Sequence, residues 1–297
     1  MTKTLRRVQR FLAIWRLSGS FELALSAMRN RLQETVLDFL QAGGRVTRDV
    51  VIYRDARLPR GLFAGRDIGG LLYFKQLMDY GAQLNSTSDG QHIAALPNGL
   101  RFEATAGAFV DTLCMLAERF VTDEYAWLDP VGRVVIDVGA NIADSVLYFA
   151  KRGAAYVYGY EPNPAAFAAA ERNLALNGIE NAELTQVAVL GEAPTAGHGH
   201  VSFAEVVDRA GSQHPGLVII CKIDCEGCEF DIFAPGHLTP AALNRVSQIM
   251  IEYHWRAPEP LVTVLETLGF QVETTPAAPG VGWIRARKPA SAGTTLD

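Results

Sequence analysis

The chain has 297 residues, of which 49% are hydrophobic and 20% are charged, with 27 basic residues against 32 acidic residues. This composition excludes a disordered chain and a coiled coil, and the length suggests one large domain or two modest ones. The net charge of −5 argues against general binding to nucleic acid, because such binding depends on neutralising phosphates.

The first 31 residues differ in charge from the rest of the chain. They carry seven basic residues against one acidic residue, which gives a net charge of +6. Apolar residues recur there at spacings of three and four and predict an amphipathic helix, at Leu5, Val8, Leu12 and Trp15. We expect this helix to belong to a helical cap. The alternative is a basic helix that rests on an anionic membrane or on a partner.

The predicted elements before residue 131 are mostly helical. The segment 45–85 has a weak pattern, whereas Asn98-Gly99 between two alternating runs is typical of a two-residue hairpin turn. The other predicted elements are a helix over 23–40 that ends at Gly43-Gly44, hairpin strands over 92–96 and 100–104, and a helix over 109–120.

From residue 131 onward, apolar strands alternate with helices, which predicts a parallel sheet covered on both faces. The strands are expected at 133–138, 155–160, 184–190, 217–224 and 248–253, with a closing antiparallel pair at 270–274 and 281–287. The helices are expected at 143–152, after the N-cap Asn163, after the capping box of Ser202 and Glu205, and at 260–268.

The first of these strands ends in the sequence DVGANIAD, which runs directly into a helix. Gly139 allows a tight turn and a close backbone approach to a ligand, and the helix N-terminus offers N–H groups to an anion. Glu161 ends the next strand, where a carboxylate accepts hydrogen bonds from ribose hydroxyls. A dinucleotide site would need G-x-G-x-x-G, and the second and third glycines are missing here. Asp137 instead suits a cationic amine.

Four blocks of sequence resemble the FkbM family of S-adenosylmethionine-dependent methyltransferases, in the order of that family. The blocks are VVIDVGANI at 134–142, YEPNP at 160–164, KIDCEGCE at 222–229 and IEYH at 251–254. The resemblance covers about residues 100–287. It implies an α/β, class I methyltransferase Rossmann-like fold with a seven-stranded, mostly parallel sheet and a closing antiparallel strand. It also implies O-methylation, typically of a sugar or natural-product hydroxyl, so that the expected acceptor is a small molecule or a glycan.

The resemblance also implies roles for individual residues. The methionine part of S-adenosylmethionine would be lined by Asp137, Gly139 and Asn141. Glu161 would hold the ribose, and Asp224 would lie near the amine and the sulfonium. Ala143 stands where the family usually has glycine, which we expect to weaken cofactor binding.

The resemblance does not extend to residues 1–90, so the domain boundaries in that part of the chain come from the predicted elements alone. The predicted organisation is a helical region at 1–85, a hairpin and helix at 86–130, an S-adenosylmethionine-binding methyltransferase domain at 131–288 and a tail at 289–297.

Methyl transfer to a hydroxyl needs alignment and usually a base. The candidates near the ligand-binding edge are Glu226, Glu229, Glu252 and His254. We expect His254 or Glu252 to act as the base and Glu226 to orient the acceptor. Glu229 is expected to be a cap or helix-surface residue. Since Glu252 and His254 share a face of one strand, only one of them is expected to point into the cleft.

Other residues offer competing interpretations. The spacing of Cys221, Cys225 and Cys228 matches that of an iron–sulfur motif, but its late position favours reduced core or turn cysteines. His198 and His200 are expected in a solvated loop, and no metal site is assigned. The alternatives to O-methylation are transfer to nitrogen or to a non-carbohydrate acceptor, and an inactive scaffold that binds the cofactor.

The sequence also predicts where the protein works. No apolar run reaches the 18 residues of a membrane span, and the cysteine spacing is unlike a secreted disulfide framework. We therefore expect a cytoplasmic enzyme with no nucleic-acid partner and no transmembrane segment, apart from the alternative membrane contact of residues 1–31.

Overall fold

The computed structural model describes residues 3–63, 68–86, 91–192 and 199–289. The chain divides into two compact units, Met1–Glu124 and Tyr125–Asp297. His198, part of the predicted loop around it and the predicted tail from residue 290 lie outside the described residues. Among the residues that are described, none of the helices combines the length and the apolar character needed to cross a membrane.

The first unit contains helices and two small antiparallel sheets. Its helices are α1 (Lys3–Ser18), α2 (Phe21–Arg29), α3 (Gln33–Gln41), α4 (Gly70–Tyr80) and α5 (Phe109–Leu116). Its strands are β1 (Arg45–Val46), β2 (Val50–Tyr53), β3 (Ala56–Pro59), β4 (Gln83–Ser86), β5 (His92–Ala95) and β6 (Arg101–Ala104). Strands β5 and β6 pair as the hairpin predicted around Asn98-Gly99, but the loop has three residues, Pro97, Asn98 and Gly99, instead of the expected two. The amide of Leu96 donates to the carbonyl oxygen of Leu100 and closes this loop.

Two predictions for this unit need correction. The helix expected over 23–40 is interrupted, because Arg31 adopts a positive φ of 61° between α2 and α3. The apolar stripe of α1 was expected to be packed, yet Leu5, Val8 and Leu12 are 40–48% exposed. The buried side chain of α1 is Ile14, which lies off that stripe.

The second unit alternates strands and helices along the chain. Its strands are β7 (Val134–Val138), β8 (Tyr156–Tyr160), β9 (Ala182–Thr185), β10 (Ala188–Leu190), β11 (His200–Ser202), β12 (Ile219–Ile223), β13 (Val246–Tyr253), β14 (Gln271–Ala278) and β15 (Val281–Arg287). Its helices are α6 (Asp144–Lys151), α7 (Pro164–Asn177), α8 (Phe203–Gln213), α9 (Glu229–Ile232) and α10 (Glu259–Thr267).

Within the described residues, a seven-stranded sheet has the order β14-β15-β13-β12-β7-β8-β9. The strands from β13 to β9 are parallel, and β15 pairs antiparallel with both β13 and β14. Every residue of β7 and β12 is buried, as expected for strands covered on both faces. The predicted fold class is therefore confirmed. The strand expected over 184–190 is wrong, because it divides into β9 and β10, and β10 pairs with β11 in a separate small sheet.

The sheet has its topological switch point between β7 and β12. The chain runs outward from β7 through β8 to β9, and then returns to place β12 on the other side of β7. The crossover helices on either side of such a point diverge and leave a crevice at the carboxyl ends of the strands. Three of the predicted ligand-binding residues, Gly139, Glu161 and Asp224, directly follow the carboxyl ends of β7, β8 and β12.

Candidate functional site

Gly139 and Asp224 meet at the switch point, one residue beyond the ends of β7 and β12. Gly139 has a φ of 81°, which favours glycine. A Cβ atom at this position would lie 1.8 Å from the carbonyl oxygen of Asp224, a backbone atom that cannot rotate away. The backbone therefore requires glycine at 139, and two predicted site residues lie side by side.

The turn after β7 is held in an unusual backbone conformation. The amides of Gly139 and Ala140 both donate to the carbonyl oxygen of Tyr160, at 2.9 and 3.0 Å. Asn141 and Ala143 have positive φ values of 44° and 66°, which cost energy for residues with a Cβ atom. Such strain concentrates at ligand sites, where the surrounding structure enforces it.

We expect Ala143→Gly to stabilise the protein by up to about 1 kcal/mol. Glycine removes about 1–2 kcal/mol of left-handed strain at Ala143, but it loses roughly 0.4–1 kcal/mol through greater freedom of the unfolded chain. The matched control is Ala175→Gly on the exposed side of α7, which should destabilise by roughly 0.5–1 kcal/mol. Chemical denaturation of both variants measures the difference. Equal destabilisation would contradict the assignment of strain to position 143.

Glu161 follows β8 and lies at the same edge of the sheet. Its carboxylate accepts hydrogen bonds from the amide of Asn141 at 2.9 Å and from the amide of Asn163 at 2.7 Å. Each carboxylate oxygen has a further lone pair. The side chain is therefore fixed in orientation while it keeps the capacity to accept two hydroxyl hydrogen bonds.

Asp137 occupies a different environment from the one expected. The sequence predicts that Asp137 contacts the amine of the cofactor. In the structure the residue has no exposed surface, and its carboxylate faces the ammonium of Lys222. The Nζ atom of Lys222 lies 3.1 Å from Asp137 Oδ1, and the hydroxyl of Ser145 donates to Asp137 Oδ2 at 2.5 Å. Burial raises the pKa of Asp137 above its ordinary range, and Lys222 opposes that rise.

Lys222 is the residue that sequence reasoning missed. Its buried ammonium donates to the carbonyl oxygen of Gly139 at 2.7 Å and lies 3.7 Å from Asp224 Oδ2. A signal was present, because a lysine inside an apolar strand is rarely buried without a partner. Lys222 and Asp137 are register partners on neighbouring parallel strands, so the pair could have been inferred.

Acidic side chains from the ends of β12 and β13 converge on one imidazole. His254 Nε2 lies 3.9 Å from carboxylate oxygens of Asp224, Glu226 and Glu252. The expectation that only one of Glu252 and His254 points into the cleft is therefore corrected. The backbone turns after Tyr253, where β13 ends, so the two side chains reach the same cluster.

The charge state of His254 follows from these neighbours. Burial lowers its pKa, but Glu229 and the three surrounding carboxylates outweigh burial and raise the pKa to about 9. The imidazole is therefore protonated at pH 7. In this state His254 donates hydrogen bonds, and the carboxylates around it are the groups able to accept a proton.

Glu229 lies behind the cluster at the start of α9, so of the two expected places, a cap or a helix surface, the surface is wrong. The residue is fully buried, and its carboxylate accepts from the amide of Gly227 at 2.9 Å and from the amide of His254 at 2.8 Å. Because α9 begins at Glu229, the side chain turns inward and ties the end of β13 to the turn after β12.

The cysteines of this turn differ from the expected reduced state. Cys225 and Cys228 form a disulfide across the turn that contains Glu226. Glu226 has a positive φ of 55° inside this closed turn. Cys221 is free and fully buried in β12, where burial raises the pKa of its thiol. The iron–sulfur spacing therefore does not form a set of three thiolates.

Comparisons with known proteins place this site in context. No family model matches the chain, so the resemblance to the FkbM family stays a prediction. The chain is similar to a tRNA wybutosine-synthesizing protein 2 homolog from Danio rerio, at 35% identity over 170 residues. The match covers 52% of this chain and 38% of that relative, so the chain spans about two fifths of the relative's length.

Solved structures of methyltransferases are similar to part of the chain. One is the ribosomal protein L11 methylase of Lactobacillus delbrueckii subsp. bulgaricus, at 20% identity over 61% of this chain and 80% of that chain, with a TM-score of 0.37. Another is the magnesium protoporphyrin IX methyltransferase of Synechocystis with bound S-adenosylmethionine, at 13% identity over 60% and 82%, with a TM-score of 0.37.

The fold assignment itself rests on the order and direction of the strands. The unit Tyr125–Asp297 has a seven-stranded sheet with one antiparallel strand inserted next to the edge, and its ligand crevice lies at the switch point. This is the class I, Rossmann-like fold of methyltransferases, and S-adenosylmethionine is the cofactor of that fold.

Proposed function

We propose that the chain is an S-adenosylmethionine-dependent methyltransferase that methylates a hydroxyl of a small-molecule or glycan acceptor. The observation that supports this most is the convergence of the Gly139 turn, Glu161 and the carboxylates around His254 at one edge of the sheet. The Gly139 turn and Glu161 suit the cofactor, and the carboxylates around His254 offer proton acceptors.

The cofactor half of the site is supported by the polar geometry at Glu161. Its two oxygens are pre-oriented by the backbone and can each accept a ribose hydroxyl. A cavity of about 380 Å³ lies between the ends of β8 and β9 and helix α8, and its walls include Tyr160, which precedes Glu161 in the chain, Thr185 and Val206. We propose this cavity for the adenine ring.

In this proposal, Asp137 acts indirectly. It is fully buried and holds Lys222, whose ammonium in turn fixes the carbonyl oxygen of Gly139 and approaches Asp224. Asp224 then remains the carboxylate of this group that faces the crevice, with 18% of its side chain exposed. We therefore propose Asp224, rather than Asp137, for the cofactor's amine.

S-adenosylmethionine supplies a methyl group on a positively charged sulfur when bound. On the acceptor side, a hydroxyl must lose its proton as its oxygen forms the new bond to the methyl carbon. Glu252 is the partly exposed carboxylate beside His254 and is proposed as the group that takes this proton. Protonated His254 would donate to the acceptor oxygen and hold it in line, and Glu226, 71% exposed, would orient the acceptor.

The cofactor proposal predicts that S-adenosylhomocysteine binds and that Glu161→Ala weakens its binding at least tenfold. Loss of hydrogen bonds to a charged group costs about 1.5–3 kcal/mol, and about 1.4 kcal/mol corresponds to a factor of ten. Calorimetric titration measures both proteins. Glu171→Ala, an exposed carboxylate on α7, is the matched control and should bind as the unmodified protein does. Absence of binding to the folded, unmodified chain would contradict the proposal.

A second candidate acceptor is a nucleoside within tRNA. The name of the Danio rerio relative favours it, and so does the local charge of +6 over residues 1–31. The overall charge of −5 opposes it. Methyl transfer from radiolabelled cofactor to total tRNA, compared with transfer to glycan and small-molecule extracts, separates the two candidates.

A membrane contact through α1 remains the alternative role of the first residues. The exposed apolar side chains of α1 alternate with arginines, a pattern that suits an anionic surface. The cytoplasmic location expected from the sequence stays a prediction, as do the expected domain boundaries.

A further inference from the structure

The carboxylate cluster beside His254 has the composition of a metal site. Asp224, Glu252 and His254 each present one ligand-capable atom, and these atoms lie within 4.8 Å of one another. The distances from His254 Nε2 to Asp224 Oδ1 and Glu252 Oε1 are both 3.9 Å. These distances are too long for hydrogen bonds, so the imidazole nitrogen faces both oxygens without bonding to either.

The imidazole is aimed into the cluster by a buried carboxylate on its other side. His254 Nδ1 lies 3.4 Å from Glu229 Oε1. Glu229 has no exposed surface and is itself fixed by the amides of Gly227 and His254. Histidine ligands of metals commonly direct their second nitrogen to such a carboxylate, which sets the tautomer and the ring orientation. Only 8% of the His254 side chain is exposed, and its Nε2 faces the carboxylates of the cluster.

We propose that Asp224, Glu252 and His254 form a binding site for one divalent transition-metal ion such as Mn²⁺. Two carboxylates and an imidazole suit manganese, iron or zinc better than calcium. An ion about 2.1 Å from each ligand requires the ligand atoms to be about 3.0–3.4 Å apart. The imidazole nitrogen, 3.9 Å from each of the two carboxylate oxygens, has to approach them by less than about 1 Å, and the two oxygens already lie within 4.8 Å of each other. Glu226 Oε2, also 3.9 Å from Nε2, is placed as a fourth, exposed ligand or as a proton acceptor.

The role of this ion rests on the proposed methyl transfer and changes its acceptor side. With the ion bound, Glu252 and His254 are ligands, the cation instead of protonated His254 holds the acceptor oxygen, and Glu226 instead of Glu252 takes the hydroxyl proton. Asp224 binds the ion through Oδ1 and leaves Oδ2 for the cofactor's amine.

A bound cation lowers the pKa of a hydroxyl that is coordinated to it. A protonated imidazole cannot take the proton of that hydroxyl, because both of its nitrogens already carry one. The acceptor oxygen then forms a bond to the methyl carbon, the carbon–sulfur bond breaks, and its electron pair stays on sulfur. The hydroxyl proton passes to Glu226 and from there to water.

The test is a titration of the full chain, treated with a chelator and then freed of it, with Mn²⁺ followed by electron paramagnetic resonance of the free ion. We expect one Mn²⁺ per chain, and at least tenfold weaker binding for Glu252→Gln and for His254→Gln. Glu192→Gln is the matched control, because this exposed carboxylate lies 3.5 Å from the imidazole of His237, away from the cluster. It should bind as the unmodified chain does.

Two results would overturn the metal site: no binding of Mn²⁺ at millimolar concentration, or equal binding by the Glu252 variant and the unmodified chain. Glu252 is partly exposed, so its variant keeps the test decisive if the His254 variant fails to fold. S-adenosylhomocysteine is titrated into the same metal-free sample. Its binding without any Mn²⁺ binding removes the metal site and leaves the methyltransferase proposal. Binding of Mn²⁺ that is lost in the Glu252 variant supports the metal site even if S-adenosylhomocysteine does not bind.

Discussion

Gly139→Ala is expected to lower the free energy of unfolding by about 2–5 kcal/mol and to abolish binding of S-adenosylhomocysteine. The left-handed φ of 81° costs a residue with a Cβ atom about 1–2 kcal/mol. The new methyl group would also lie 1.8 Å from the carbonyl oxygen and 2.8 Å from the carbonyl carbon of Asp224. Relief requires the ends of β7 and β12 to separate, and forced shifts of this kind cost typically about 1–3 kcal/mol more.

The control for this variant isolates the backbone cost from the collision. Gly178 ends α7 with a similar φ of 60°, but a Cβ atom there meets nothing within 4 Å. We expect Gly178→Ala to cost about 1 kcal/mol and to leave cofactor binding unchanged. Chemical denaturation and calorimetry are measured on both variants. If Gly139→Ala is no worse than Gly178→Ala, the close approach of the two strand ends is not a requirement of the site.

The sequence was most informative where local rules act alone. The Asn163 cap of α7 and the Ser202 capping box of α8 each depend on a few neighbouring residues, and both form as expected. The hairpin around Asn98-Gly99 also forms, with a loop one residue longer than expected. Burial on both faces of β7 and β12 likewise follows from apolar runs, each of which one charged residue interrupts, Asp137 in β7 and Lys222 in β12. These features required no knowledge of which strands are neighbours.

Predictions failed where pairing between distant residues decides the outcome. The run at 184–190 has a continuous strand pattern, yet its second half pairs with β11 rather than with β8. The sequence position of Glu229 predicts a cap or a helix-surface residue. Its carboxylate instead accepts a hydrogen bond from the amide of His254, 25 residues away, and is buried. The disulfide of Cys225 and Cys228 depends on the sharp turn at Glu226, and the spacing alone is compatible with free thiols.

The candidate site was predicted as a set of residues rather than as an arrangement. Gly139, Glu161 and Asp224 gather at one edge because parallel strands end together, which sequence can anticipate. The division of labour between Asp137 and Asp224 could not be anticipated in the same way. It depends on which carboxylate is buried against Lys222, and that requires the register of β7 and β12.

Lys222→Met is expected to destabilise the protein by about 3–5 kcal/mol, because it leaves the carboxylate of Asp137 buried without its counter-charge. Both side chains of the pair are at most 2% exposed, so solvent does not screen the loss. Asp137→Asn should cost less, about 1–3 kcal/mol. In the unmodified chain the ammonium also contacts the carbonyl oxygen of Gly139 at 2.7 Å and lies 3.7 Å from the carboxylate of Asp224, and the substitution removes neither of these groups.

The double variant Asp137→Asn/Lys222→Met distinguishes a charge pair from two independent packing positions. Removing the carboxylate's charge also removes the penalty that Lys222→Met creates, so the combined cost should be smaller than the sum of the single costs. We expect a coupling energy of at least about 1–2 kcal/mol from denaturation of the four proteins. Additive single costs would mean that the two groups do not depend on each other's charge.

The pH dependence of the single variant gives an independent check on the same pair. A carboxyl whose pKa is higher in the folded chain than in the unfolded chain adds stability at low pH, and this contribution disappears as the pH rises through the folded value. Burial already raises the pKa of Asp137, and loss of Lys222 removes the charge that opposes this rise. The deficit of Lys222→Met relative to the unmodified protein should therefore be larger at pH 7 than at pH 5. Since Asp137→Asn has no titrating group at this position, the same acidification should leave the deficit of Lys222→Met unchanged when it is measured in that background.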